Sequence, residues 1–304
     1  MADGSGKPDT IVREADAAAA EAASEARAEV LERAGAEATG PRHVRASRQV
    51  KAGQAWHEFE VNVWLTDLNS VEFGIYRHSR NKAKSRQFTS DMDIYAEVLE
   101  NGERTGLIGY RDELWKKTAG MERRLVMKLF NESLNWRASM DFLLARSVQQ
   151  TIGARGFPVT SYAMNIGDHE FVVHLERSAN KWPFMPENFS FFLMDGGEPR
   201  FYRLRRAFIN LGGDYTLLDE RNRVIARLSG RFFTLTGFWR GRIKTEHASS
   251  RLVMVLQMFC GMLVFNRGAR RHVKSLYREV MAGSHVPKLQ RQESDLYMNP
   301  RRVR

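Results

Sequence analysis

The chain has 304 residues, and its hydrophobic fraction of 43% is enough for the core of one large domain or of two ordinary ones. Its formal net charge is +11, which points to an anionic partner: a nucleic acid, an anionic membrane surface or an acidic protein. The single cysteine, Cys260, excludes a disulfide within the chain and a cysteine-based metal site. No basic segment followed by an apolar one stands at the start, so we see no secretory signal and expect a cytoplasmic protein.

The first part of the chain differs in charge from the rest. Residues 1–40 carry nine acidic and four basic side chains, a net charge of −5. Alanine and glutamate favour a helix, but Val30 and Leu31 are the only large apolar residues of 13–38, so a helix there would have no apolar face to bury. We therefore predict a disordered or loosely helical leader and linker over residues 1–55.

Alternation of apolar and polar residues begins near Trp56. In residues 57–65, Phe59, Val61 and Val63 fall on one face, a period of two that predicts a half-buried strand. The same alternation, with Asn101-Gly102 as a hairpin turn, predicts four strands before residue 113. They cover residues 57–65, 70–77, 92–99 and 104–110.

Residues 113–152 show another spacing. Apolar residues recur there three and four positions apart, which predicts a helical insert of two helices broken near residues 131–135. The residues that carry this pattern are Leu125, Val126, Leu129, Phe130, Met140, Leu143, Leu144, Val148 and Ile152.

Strand patterns return after the insert. Short strands with turn residues between them, at intervals of roughly 8–12 residues, are typical of a sandwich or a barrel. The eight predicted strands cover residues 159–166, 169–177, 188–195, 200–209, 213–218, 222–228, 231–236 and 238–243.

Two helical patterns follow the strands. The fourteen residues 252–265 hold a single amide, Gln257, among apolar residues, and as a helix they would be about 21 Å long. A bilayer core is about 30 Å thick, so the length predicts a helix buried inside a soluble domain, with no transmembrane span. Residues 268–281 predict a basic amphipathic helix that lies on an anionic membrane or caps the barrel mouth, and the tail 283–304 is polar and basic.

Three neighbouring segments carry a family resemblance: Phe201 to Arg206, Gly213 to Asp219 and Arg223 to Gly230. In the second a Tyr-Thr-Leu-Leu core ends in Asp219, and in the third a Val-Ile-Ala-Arg-Leu strand ends near Gly230. This stretch resembles the tubby C-terminal-like superfamily, and within it the LURP-one-related and phospholipid scramblase branch.

The resemblance implies a mainly β (α+β) fold, a closed antiparallel barrel of about twelve strands around a buried C-terminal hydrophobic helix. We place this domain at residues 56–282. The helical insert and the second, cationic helix are not parts that the resemblance implies. It further implies a protein that is not an enzyme and that associates peripherally with anionic phospholipid.

The sequence contains no motif of a catalytic or cofactor site, and we predict no cofactor and no metal. His169 and His174 stand five residues apart, whereas the His-Glu-x-x-His motif of zinc proteases places its two histidines four apart on a helix. In the apolar helix, burial of Cys260 would raise the pKa of its thiol and make it inert.

Two sets of cations are the candidate sites. Arg203 and Arg205 share a strand face, and so do Arg240, Arg242 and Lys244; if these strands are neighbours, the five cations form one patch for phosphate headgroups. The second set belongs to the amphipathic helix and consists of Arg267, Arg270, Arg271, Lys274 and Arg278.

Two other functions stay open. The first is an adaptor that binds a protein partner, with the acidic leader as a tether or an autoinhibitory arm. The second is a nucleic-acid-binding protein, in which aromatic residues among the cations would stack on bases. Alternation places Tyr202 and Trp239 on the strand faces opposite Arg203 and Arg240, and this disfavours the second alternative.

Overall fold

The computed structural model describes most of residues 55–294. The described ranges are 55–63, 87–89, 92–179, 186–195, 197–207, 213–231, 237–286, 288–291 and 293–294. The predicted leader and linker, apart from Ala55, and the predicted strand 70–77 lie outside these ranges. So does the predicted strand 231–236, apart from Arg231.

The described residues form twelve strands, and each strand pairs antiparallel with the next along the chain. The strands are β1 (Trp56–Val63), β2 (Met92–Glu100), β3 (Glu103–Arg111), β4 (Val126–Asn131), β5 (Trp136–Phe142), β6 (Ser161–Ile166), β7 (Val173–Arg177), β8 (Asn188–Asp195), β9 (Glu198–Arg206), β10 (Tyr215–Asp219), β11 (Val224–Arg231) and β12 (Gly237–Lys244). Because β1 also pairs with β12, the sheet closes into a barrel and confirms the predicted fold.

The predicted hairpin at Asn101-Gly102 is confirmed between β2 and β3. Both turn residues have positive φ, 54° and 83°, as a two-residue turn of the primed type requires. Glycine adopts such a φ without strain, and asparagine tolerates it better than most other residues.

The prediction of two helices in residues 113–152 is wrong for most of that range. A π-helical turn (Glu113–Lys117) and a short 3-10 helix (Gly120–Glu122) are followed by β4 and β5, and only α1 (Leu144–Gly153) is an α-helix. The spacing misled because β4 is buried on both faces: Leu129 packs into the barrel, while Phe130 packs outside it against Leu107 and Phe88. A strand with two apolar faces loses its period of two and resembles a helix in sequence.

The predicted number of strands therefore agrees with the structure, but the predicted strands and the observed strands are partly different segments of the chain. β4 and β5 were not predicted, while 70–77 and most of 231–236 lie outside the described residues. His169, predicted to lie in a strand, precedes β7.

One long helix, α2 (Ser250–Met281), replaces the two predicted C-terminal helices. Its N-cap is Ser249, whose hydroxyl accepts a hydrogen bond from the Leu252 N–H. Every residue of 252–262 is buried, and the Gln257 amide donates to Glu100 at 2.8 Å, so the single amide of this stretch is satisfied.

The continuous helix overturns the length argument against a membrane span. With 32 residues, α2 is long and apolar enough to cross a bilayer by length and composition, the one such helix among the described residues. The most apolar stretch of α2 is 72% buried inside the protein, and this burial now supports the prediction of a core helix.

Helix α2 enters the barrel at the end where β12 finishes and leaves it at the end where β12 begins. Inside, it approaches the wall so closely that a Cβ on Gly261 would lie 2.7 Å from the Tyr95 hydroxyl. Outside, its apolar stripe, including Val273 and Leu276, is buried and α2 contacts α1.

The chain beyond α2 contributes to the fold through Glu293. The N-cap residue of α1, Leu143, supplies no side-chain cap. Glu293 is buried, and its two carboxylate oxygens accept from the backbone N–H groups of Ala145 and Arg146 at 3.0 and 2.9 Å. A residue 148 positions away in the chain therefore caps α1.

Tight packing against the barrel wall predicts that Gly241 tolerates no side chain. Gly241 on β12 lies opposite Phe59 on β1, and a Cβ there would come within 2.2 Å of the buried Phe59 ring. We expect Gly241→Ala to lower the unfolding free energy by about 1–3 kcal/mol in urea denaturation, because the ring has to move within a filled interior.

Gly153→Ala is the matched control. Gly153 ends α1, and no atom lies within 4 Å of a Cβ placed there. We expect this change to stay within about 0.5 kcal/mol of the unaltered protein. Equal urea midpoints for the two variants would contradict the packing argument.

Candidate anion-binding site at one end of the barrel

A cavity of about 1370 Å³ lies where α2 leaves the barrel. Its walls are the ends of β9, β10 and β12, the loop 154–158 after α1, and the face of α2 from Leu263 to Lys274. The connections 180–185, 208–212 and 232–236 follow β7, β9 and β11 and lie outside the described residues.

Six cationic side chains of the described residues line this cavity. They are Arg155, Arg206, Arg267, Arg270, Arg271 and Lys274. The last four recur at spacings of three and four along α2 and therefore share one face of the helix.

Arg206 reaches the cavity because of its position in β9. It has the same parity as Tyr202 and Leu204, whose side chains are buried in the barrel, but it is the last residue of the strand. An inward-facing residue at a strand end points into the barrel mouth, which places Arg206 in the wall opposite the helix cations.

Arg155 is held at the cavity by a tight loop. Arg155 and Gly156 both have positive φ, 53° and 83°. A Cβ on Gly156 would lie 2.6 Å from the Tyr277 ring of α2, so glycine is needed for the loop to approach the helix this closely.

One carboxylate, Glu187, lines the cavity in the described part of the chain, and it already has several donors. Arg177 Nε lies 2.5 Å from Glu187 Oε1, and the Tyr215 hydroxyl donates to Oε2 at 2.8 Å. Asn266 Nδ2 and Arg270 Nη1 lie 3.3 and 3.7 Å from Oε1. Glu187 is thus occupied, and among the described residues most of the cavity's positive charge has no counter-charge.

The neighbours of Glu187 also fix its protonation. Burial by itself raises the pKa of this carboxyl, but Arg177, the Tyr215 hydroxyl and Arg270 outweigh burial and hold the pKa below its ordinary value. Glu187 is therefore ionised at neutral pH and anchors the cations around it.

Two buried polar atoms at the cavity have no hydrogen-bond partner among the described residues. They are the Oδ1 of Asn266, a residue only 5% exposed, and the Nε of Arg270. Buried polar groups normally have partners. Neither atom is exposed to the space of the cavity, so among the described residues both are unpaired inside its wall.

Apolar side chains form the inner part of the cavity. Trp239 of β12 and Tyr215 of β10 contribute from the barrel, and Leu263 and Val264 contribute from α2. The cavity can therefore hold both an anionic and an apolar group.

The structure brings together four of the five helix cations predicted as a site. Arg278 is exposed one turn further along α2 and does not line the cavity. Three charged lining residues were not predicted as part of a site: Arg155, Arg206 and Glu187. The inward parity of Arg206 could have revealed it, whereas Arg155 and Glu187 reach the site through tertiary contacts that leave no periodic signal.

The predicted five-cation patch on the strands does not form, because β10 and β11 separate β9 from β12. Arg240 and Arg242 lie on β12 and form ion pairs with Glu60 and Glu58 at 2.7 and 3.0 Å. The predicted patch also included Arg203, Arg205 and Lys244. Of these three, Arg203 donates a hydrogen bond to Asn222.

The predicted orientation of Tyr202 and Trp239 is confirmed, since both are buried in the barrel. Cys260 is buried in α2, and burial raises the pKa of its thiol. Among the described residues no three His, Cys, Asp or Glu side chains converge as a metal site would require.

No family model, curated protein or solved structure matches this chain.

The depressed pKa of Glu187 predicts an acid-dependent loss of stability. Such a group stabilises the fold above its unfolded pKa, and this stabilisation is lost as the pH falls below the ordinary value of 4.5 through the folded pKa. We expect Glu187→Gln to lose about 3 kcal/mol of unfolding free energy at neutral pH, because Arg177 stays buried without its counter-charge. Below about pH 5 the variant should lose less further stability than the unaltered protein.

Urea denaturation at a series of pH values measures both effects. Glu198→Gln is the control, because this carboxylate lies on the barrel exterior with a side chain 77% exposed. Parallel pH profiles for Glu187→Gln and the unaltered protein would contradict the assignment.

Proposed function

We propose that this protein is a non-enzymatic barrel that binds anionic phospholipid headgroups at a membrane surface, as a cytoplasmic, peripherally associated protein. One observation carries the proposal: six cationic side chains surround a single cavity whose one described carboxylate is already occupied. A phosphate group entering this cavity would find positive charge and donors that the described residues do not satisfy.

The kind of cation favours a phosphate. Five of the six lining cations are arginines, whose planar guanidinium groups bind phosphate oxygens through two parallel N–H donors. The sites on β9 and β12 offer less, because Arg240 and Arg242 already pair with glutamates of β1. We therefore move the proposed headgroup site from the strand cations to the cavity.

The sequence resemblance to the tubby-like superfamily supports the same function, and it implied a closed twelve-strand barrel around a C-terminal helix, which is the fold that the chain adopts. Among the described residues no observation favours the adaptor alternative. For the nucleic-acid alternative, Tyr202 and Trp239, the aromatic residues considered for base stacking, are almost wholly buried, and of the two only Trp239 lines the cavity.

Co-sedimentation with vesicles tests the proposal. The full chain should bind phosphatidylcholine vesicles that contain phosphatidic acid and should bind pure phosphatidylcholine vesicles far more weakly, with an affinity that falls as salt rises. We expect the triple variant Arg267→Ala, Arg271→Ala and Lys274→Ala to bind about 100-fold more weakly, at about 1 kcal/mol for each cation near an anionic surface.

The matched control removes three cations from the barrel exterior through Arg240→Ala, Arg242→Ala and Lys244→Ala. It should keep most of the affinity. Loss of binding in this control alone would return the headgroup site to the strands, and an unaltered protein that ignores acidic vesicles at every salt concentration would overturn the proposed function.

A further inference from the structure

The cavity is graded from apolar to cationic along the axis of α2. Leu263 and Val264 lie deepest, Asn266 and Arg270 follow, and Arg271 and Lys274 lie outermost. From Val264 to Lys274 the helix rises by about 15 Å. The site therefore has an apolar inner part and a charged rim.

The barrel wall repeats this order. Arg206 stands at the end of β9, and the next residue on the same strand face, Leu204, is fully buried. On β12, Trp239 lies two residues inside the strand end and lines the inner part of the cavity. Two walls built from different elements thus place cations outside and apolar groups inside.

Polar atoms without partners lie at the boundary of the two zones. Asn266 is 5% exposed and its Oδ1 has no hydrogen-bond partner among the described residues, and the same holds for Arg270 Nε, beside the Glu187 carboxylate. A phosphate alone would fill only the rim, while a volume of about 1370 Å³ exceeds even the usual pocket for a drug-sized molecule.

We infer that the cavity holds one amphiphilic anion, with its phosphate on the rim arginines and its acyl chain between α2 and Trp239. The inference rests on the proposed function and adds to it. The protein would bind part of the acyl chain as well as the headgroup, so that part of the chain moves from the bilayer or the solvent into the end of the barrel. The same chemistry serves a membrane phospholipid or a free amphiphile such as a lysophosphatidic acid.

The consequence is a gain in affinity from the chain itself. Isothermal titration of the full protein would compare inorganic phosphate, glycerol phosphate and short-chain phosphatidic acids that stay monomeric, with butanoyl and then hexanoyl chains. We expect the dihexanoyl lipid to bind at least tenfold more tightly than glycerol phosphate, with the dibutanoyl lipid between them, because each methylene removed from water adds affinity.

A cavity-filling variant separates the two zones. Val264→Phe enlarges a half-buried side chain of the inner part, so it should reduce the gain from the hexanoyl chains to less than threefold and leave glycerol phosphate binding unchanged. Arg271→Ala should weaken both ligands equally. The chain-length series on the unaltered protein decides the question even if Val264→Phe does not fold.

The outcomes separate this inference from the proposed function. Binding of acidic vesicles without any gain from the acyl chains would overturn the inference and keep the headgroup proposal. A chain-dependent gain without vesicle binding would uphold the cavity, name a free amphiphile as its ligand and overturn the membrane proposal. Equal binding of dihexanoyl phosphatidylcholine would overturn the anionic half of the inference.

Discussion

Closure of the sheet is the constraint on which the rest of this structure depends. A barrel of twelve strands has no unpaired edge, but its interior has to be filled, and one stretch of the same chain, the first half of α2, fills it. The packing of the interior leaves little space: Gly261 permits the approach of α2 to Tyr95, and Gly241 in the wall leaves room for the ring of Phe59 on the neighbouring strand. Even the one amide in the buried stretch, Gln257, is paired with Glu100 of the wall.

The candidate site follows from a mismatch in length. At 32 residues, α2 is about 48 Å long and continues beyond the barrel interior. The outer half of α2 carries an apolar stripe, which is covered by α1 and by Trp115 of the π-helical turn. The opposite face of α2 is directed toward the barrel end, where Arg206 lines the same cavity. The cavity is thus the space between α2, where it leaves the barrel, and the adjacent end of the barrel wall.

Strands with one buried and one solvated face, such as β7, β9 and β12, were predictable from the sequence because their residues keep a period of two. Prediction failed at β4, which buries Leu129 inside the barrel and Phe130 outside it, so its residues carry no period of two. Burial on both faces does not always have this effect, because β6 is buried along its whole length and was still predicted as a strand. The end of the core helix was misjudged for a related reason. The composition changes from apolar to basic near Asn266. This change marks the point where α2 passes from the barrel interior to the outside, and the helix itself continues. The helix cations were predictable as a set from their spacing, whereas their meeting with Arg155 depends on a loop held by Gly156 against Tyr277.

Among the described residues, the positive charge at this end of the barrel is only partly compensated. Six cations line it and Arg177 lies just behind them, yet Glu187 is the one carboxylate that the described residues place at the cavity. Like charges held this close repel one another, and the repulsion grows as they are withdrawn from water. The protein limits that repulsion by keeping Glu187 ionised and by leaving Arg267, Arg271 and Lys274 exposed. The repulsion among these cations is reduced in this way but not removed. The unpaired cations and the apolar floor below them therefore favour a ligand with both chemistries over a free ion.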